Sequence, residues 1–167
     1  MANNQPFSSV PVIPSDTLNI PQPGIITSGT NATVGTTLTD AGQDFTNATT
    51  NSASPSGYNI RGGDVVYAGG AIDEILAIAS PTTLTMQSST AATTYDIYKG
   101  NISGDTAFTL FVGTGGAGST LKLRTPAGDD VTLNNVPDSS FIPLQAIRVF
   151  ATECQVDQVC WLTPTRY

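Results

Sequence analysis

Apolar and polar residues take turns most regularly between Thr106 and Thr125. In "TAFTLFVG", Phe108, Leu110 and Val112 share one face, and in "STLKLRT", Leu121 and Leu123 alternate with Lys122 and Arg124. A period of two is that of an extended strand with one face on a core. "AGDDVTLNNVPD" adds a Gly-Asp turn at Gly128 and Asp129, then a strand with Val131 and Leu133 inward. "FIPLQAIRVFATE" and "VCWLT" are expected to form the last strand pair, with Ile147 and Val149 on the core side.

Residues 27–99 carry shorter versions of the same signal, divided by breaker-rich turns. "ATVGTTLTD" has the β-branched content of a strand, and "AGQDFTNATTNSASPSG" reads as a loop. "GDVVYAGG" is a strand bounded by glycines, and "TTYDIYKG" alternates Tyr95 and Ile97 with Asp96 and Tyr98. "AIDEILAIAS" suits one helical turn or a short strand. Because "ASPTTLTMQ" follows directly and Pro81 ends any helix, a strand is expected. Five short strands at this spacing suggest a small barrel or sandwich.

Residues 1–26 differ. Pro6, Pro11, Pro14, Pro21 and Pro23 fix φ and remove backbone donors, so an extended arm is expected. It is either a loose terminus or an arm laid on its own domain or on a neighbouring subunit. Val10, Val12, Ile13, Leu18, Ile20, Ile25 and Ile26 give it apolar contacts. No segment joins caps to a sustained helical period. The expected fold is all-β. An extended N-terminal arm (1–26) precedes two small antiparallel modules of barrel or sandwich type. The first (27–99) is inserted, and the second (100–167) is a C-terminal domain completed by part of the arm.

"FVGTGGAGSTLKL" contains Gly113, Gly115 and Gly118 at the spacing G-x-G-x-x-G. A dinucleotide fingerprint needs a helix launched from the glycines, so that its N-terminus meets the pyrophosphate. Here a strict two-residue alternation follows, no acidic residue ends a second parallel strand, and Gly-Lys-Ser/Thr is absent. A hairpin loop between two strands, where positive φ is needed, is the economical reading.

Composition narrows the chemistry further. The 167 residues include 39% hydrophobic residues, enough for a core, but charged residues are only 11% against the roughly 25% of ordinary soluble domains. A polar surface with so little charge packs against protein at small desolvation cost. The net charge is −7, and the basic residues Arg61, Lys99, Lys122, Arg124, Arg148 and Arg166 are scattered along the chain. Phosphate neutralisation needs concentrated cations, so nucleic acid is disfavoured as a partner. No apolar run approaches the roughly 20 residues of a membrane span. "MANNQPFSSVPVIPSD" lacks the charged and apolar regions of a signal peptide, so synthesis in a cytoplasm is expected. The chain has no His, which excludes Ser-His-Asp and Cys-His mechanisms and His metal ligands.

The remaining candidates are few. Asp73-Glu74 and Asp129-Asp130 are adjacent acidic pairs, but strand neighbours point to opposite faces, so neither presents two carboxylates to one substrate. Asp40 and Asp44 offer oxygens to a calcium ion without an EF-hand pattern, and a loop with solvated charges is the plainer reading. Cys154 and Cys160 in "ECQVDQVC" suit either a bridge across a hairpin or two free buried thiols. Asn31, Asn47 and Asn101 head N-x-S/T triplets, expected by chance in so Asn- and Thr-rich a chain. Tyr58, Tyr67, Tyr95, Tyr98 and Trp161 suit a sugar-stacking platform or, more plainly, a core. No catalytic residue, cofactor or metal site is expected.

The N-terminal "VIPSDTLNIPQPGIITSGT" and the C-terminal "LFVGTGGAGSTLKLRTPAGDDVTLNNVPDSSFIPLQAIRVFATE" resemble small virion structural proteins of marine and cyanobacterial tailed phages. The middle segment is similar to a β-module inserted in phage virion proteins. "ECQVDQVCWL" departs from the family's small-residue turn. The resemblance implies a non-enzymatic capsid decoration or cement protein on the virion surface. Its implied partner is the major capsid protein, and the implied state is a homo-oligomer, with a trimer favoured. Arm residues Val12, Ile13, Ile20 and Ile25 would then contact capsid or a sister subunit. A tail, neck or fibre-associated protein and a host-surface carbohydrate-binding module are the alternatives.

Overall fold

A computed structural model of the chain describes residues 9–30, 35–46, 58–89 and 92–162. The described residues are all-β and contain no helix. Contacts divide the chain into two compact units, residues 1–20 with 103–167 (unit 1) and residues 21–102 (unit 2). The divisions fall at 20/21 and 102/103, whereas the sequence reading set them at 26/27 and 99/100.

Unit 1 contains β1 (Ser9–Pro11), β8 (Phe108–Thr114), β9 (Thr120–Arg124), β10 (Asp130–Asn134), β11 (Ser140–Ala146), β12 (Arg148–Val149) and β13 (Asp157–Leu162). Four of these form an antiparallel sheet in the order β1-β13-β8-β11, and three form a second in the order β10-β9-β12. The alternation read from the sequence is what fills the space between them. Phe108, Leu110 and Val112 from β8 and Leu121 and Leu123 from β9 are fully buried in one core, with Val131 and Leu133 of β10 packed against it. Each such side chain stabilises the fold by about 1.5–3 kcal/mol through apolar burial.

Two sequence expectations are corrected here. The segments "FIPLQAIRVFATE" and "VCWLT" do not pair with each other. β11 and β13 lie on opposite sides of β8. Between Ala146 and Arg148 the chain changes sheets, since β11 pairs β8 while Ile147 donates its N–H to Arg124 O and β12 pairs β9. Ala146 and Ile147 are both buried, which breaks the period of two at the corner. The glycine-rich loop is likewise not a hairpin, because it carries the chain from β8 in the first sheet to β9 in the second. Periodicity identifies a strand and its inner face but not its partner.

Residues 9–20 belong to unit 1. β1 pairs β13 in the register Ser9↔Leu162 to Pro11↔Cys160, and the N–H groups of Val12, Ser15 and Ile20 bond to Val159, Val149 and Ile147 carbonyls at 2.7–2.9 Å. The contacts of Asp16 and Arg148 clip the same segment down. Asp16 accepts from Thr152 N at 2.9 Å and from Thr152 Oγ1 at 2.6 Å, and Arg148 donates to Asn19 Oδ1 and Asp16 O. The Thr152 bonds hold the Asp16 carboxyl below its ordinary value.

Unit 2 contains β2 (Ile25–Thr30), β3 (Thr37–Thr39), β4 (Val65–Ala68), β5 (Ala71–Ser80), β6 (Thr83–Met86) and β7 (Thr94–Tyr98), in the order β2-β7-β4-β5-β6-β3. β5 is the strand spelled "AIDEILAIAS". Its first half pairs β4 and its second half pairs β6, with register shifts that bend it. Leu38, Ile75, Leu84 and Ile97 centre the core. The segment after β3 returns to β2 and β7: Gln43 bonds Ser28 O and Thr27 Oγ1, and buried Asp40 accepts from Tyr95 O–H at 2.9 Å. A Cβ on Gly29 would lie 2.4 Å from Asp40 Oδ2 and from Tyr95 Cε1, so only glycine fits there.

Candidate interaction surface

The glycine loop is closed to an outside phosphate by its own acceptors. Gly115 N–H donates to Asp138 Oδ1 at 2.7 Å, Gly116 N–H to Val136 O at 2.7 Å and Gly118 N–H to Asn135 Oδ1 at 2.9 Å. Gly116 and Gly118 take φ of 117° and 84°. Thr120 begins β9 directly, so no helix dipole stands behind the loop.

The acidic pairs are structural where they are described. Asp73 is buried and accepts the N–H groups of Glu74 and Ser88. Asp130 forms a forked pair with Arg124 at 2.6 and 2.9 Å, which holds its carboxyl below the ordinary value, and Asp129 N–H bonds Thr125 in the turn. Asp40 caps Gly42 N–H besides binding Tyr95, and Asp44 accepts from Thr46 N and Oγ1. No group of three or more Cys, Asp or Glu side chains is placed to hold a metal among the described residues. Among the described residues no helix is long and apolar enough to cross a membrane.

Cys154 carries a free, half-buried thiol near Val156 O, and burial pushes it above its ordinary value. The backbone of Cys160 pairs with Phe111 and Pro11, and its side chain lies outside the described residues. Of the aromatic candidates, Tyr95 and Tyr98 are buried, and Tyr58 and Tyr67 are half-buried. Asn101 is buried, while Asn31 and Asn47 lie outside the described residues.

The four arm residues proposed as partner contacts do not behave alike. Val12 and Ile20 are 7% and 3% exposed and sit in the core of unit 1, so their side chains are occupied within the chain itself. That changes their assignment from partner contacts to internal ones. Ile13 is half-buried, and Ile25, the first residue of β2 in unit 2, is 40% exposed.

The sequence reading missed the exposed apolar side chains of β11. Phe141 is 62% exposed and Leu144 36%, and the Phe141 ring stands edge-on to Phe111 of β8 at 5.2 Å between centroids. β11 ends its sheet and carries no charged residue. Two signals in "SFIPLQA" pointed to it. Pro143 marks an edge strand, and with Ile142 inward, the alternation turns Phe141 outward. A bulge between Phe141 and Gln145, together with Pro143, blunts strand-to-strand pairing at this edge, which leaves the side-chain face as the available surface.

Three of the scattered basic residues also converge. Lys122, Arg124 and Arg148 lie 5.3, 5.3 and 5.9 Å from the centroid of Phe150.

No protein-family model matches this chain, and no curated protein or solved structure is significantly similar to it.

Proposed function

We propose that the chain is a non-enzymatic structural protein of a tailed-phage particle, decorating the capsid by binding the major capsid protein. The observation that carries this reading is the uncharged edge strand β11 with Phe141 and Leu144 exposed. Exposed aromatic anchors on a rigid strand are what a protein interface buries at its centre. The resemblance of the glycine-turn and strand motifs to those of small phage virion proteins supports it, as does a composition whose low charge makes docking cheap in desolvation. Ile13 and Ile25 remain as further contacts. A trimer at a local threefold position on the virion surface fits this role, without nucleic acid, membrane or cofactor.

The test mixes purified chain with particles that lack it. Saturable binding to heads at a lattice stoichiometry is expected, and F141S/L144S should weaken it at least about tenfold, the loss of one or two hot-spot side chains. Binding to tails alone would move the protein to the tail. Unchanged binding of F141S/L144S would remove β11 from the interface. Deleting residues 1–26 is a poor test, since it strips Val12 and Ile20 from the core and β1 from β13. Deleting residues 1–8 leaves both in place.

A further inference from the structure

The described cations fall into two groups. In unit 1 each has a polar partner: Lys122 has Glu153 at 3.3 Å, Arg124 has Asp130, and Arg148 has Asn19 and the Asp16 carbonyl. In unit 2, Arg61 and Lys99 have no carboxylate within ion-pair distance among the described residues. All 13 Asp and Glu residues of the chain lie among the described residues, so no acidic side chain elsewhere can supply one.

Both cations instead converge on one ring. The Arg61 guanidinium carbon and Lys99 Nζ each lie 5.4 Å from the centroid of Tyr58. A buried carboxylate builds the arrangement from beneath. Asp64, 1% exposed, accepts from Tyr58 O–H at 3.0 Å, Arg61 N–H at 2.9 Å and Gly100 N–H at 3.0 Å. Its oxygens are thus engaged by the ring and by the backbones of both cation-bearing segments. Those segments are locked side by side, because a Cβ on Gly100 would stand 1.8 Å from Gly63 O. The backbones that carry the two cations are therefore fixed side by side, and both charged groups reach the same ring, against one buried negative charge. A planar forked donor and a compact ammonium so placed match the oxygens of an anion, and their preorganisation lowers the ordering cost of binding.

We propose that Arg61 and Lys99, carried on Tyr58, form a binding site for an oxyanion, either a carboxylate or a sulfate group. The site lies in unit 2 and does not depend on the capsid reading. The experiment titrates the full chain with sodium acetate and with sodium sulfate at ionic strength matched by sodium chloride, followed by NMR. Saturable shifts on one curve are expected at the Arg61 side chain, the Tyr58 ring and the Gly100 amide. The salt that saturates at lower concentration identifies the preferred oxyanion. R61Q and K99Q should each weaken binding about fivefold, the scale of one part-exposed charged contact, and K122Q should leave it unchanged. Arg61 is exposed and Lys99 half-buried, and an otherwise preserved amide spectrum establishes that each variant is folded. Shifts that match chloride, fail to saturate, or persist in R61Q/K99Q would overturn the proposal.

Discussion

Replacing Ile20 by alanine asks whether the proline-rich N-terminal segment is part of unit 1 or an appendage. Ile20 is 3% exposed in the core that includes Phe108, Leu110 and Val149, and its N–H bonds Ile147 O at 2.8 Å. The substitution keeps that backbone bond and removes only buried side-chain atoms, so the cost is lost transfer free energy plus a cavity, about 3 kcal/mol within the usual 2–5. Unit 1 comprises about 85 residues, for which the entropy of unfolding is about 0.18 kcal/mol/K, so its midpoint should fall by about 17 °C. Scanning calorimetry of I20A at two protein concentrations provides the readout. Unit 2 has its own core, so the part of the transition due to it should stay in place. I25A, at an exposed position, serves as control and should stay within about 0.5 kcal/mol of wild type. An unshifted I20A transition, or a loss that grows as the protein is diluted, would show that this segment docks on another subunit instead.

Three further outcomes follow from the same geometry. G115A should destabilise unit 1 by about 1–3 kcal/mol in denaturant titration, because its Cβ would stand 2.1 Å from the backbone oxygen of Val136. Asp16 and Asp130 have folded-state values below 3.8, so their contribution is complete above that value and is lost as pH falls through the folded values. The acid limb of a pH–melting curve should therefore be shallower in D16N and D130N. Burial, reinforced by the neighbouring Asp64, raises the Tyr58 phenol from 10.0 to about 12, so its stabilising effect is present below pH 10 and disappears as pH rises toward 12. A phenolate absorbance titration should lose its step near pH 12 in Y58F.

Strand identity and inner faces were legible in the chain because they depend on local alternation. Phe108, Leu110, Val112, Leu121 and Leu123 are all in the core that their spacing implied. Pairing was not legible. Nothing in "SVP" announces β13 as its neighbour some 150 residues later, and the run from Ser140 to Val149 looks continuous although it changes sheets at Ile147. The arm's apolar residues were visible, but whether they met the chain's own core or another surface depends on packing that composition does not encode. The outward Phe141 was concealed by treating its strand as ordinary core, although Pro143 two residues on marked an edge. The Tyr58, Arg61 and Lys99 set was out of reach for another reason, since Lys99 is distant in sequence and is brought to the ring by the fold, with Asp64 bonding the neighbouring Gly100 N–H.

The path of the chain through unit 1 has a consequence for how such a protein changes over time. Gly104 lies within reach of Asn19, a Cβ there standing 3.8 Å from the Asn19 amide nitrogen, so the points where unit 2 departs and returns are neighbours. In sequence, everything from Pro21 to Ile102 is thus one insertion whose ends meet unit 1 at neighbouring residues. A different payload grafted between those two points, or a short turn joining them, would leave the described strands of unit 1 in their existing registers, so the insert can be traded while the host stays as it is.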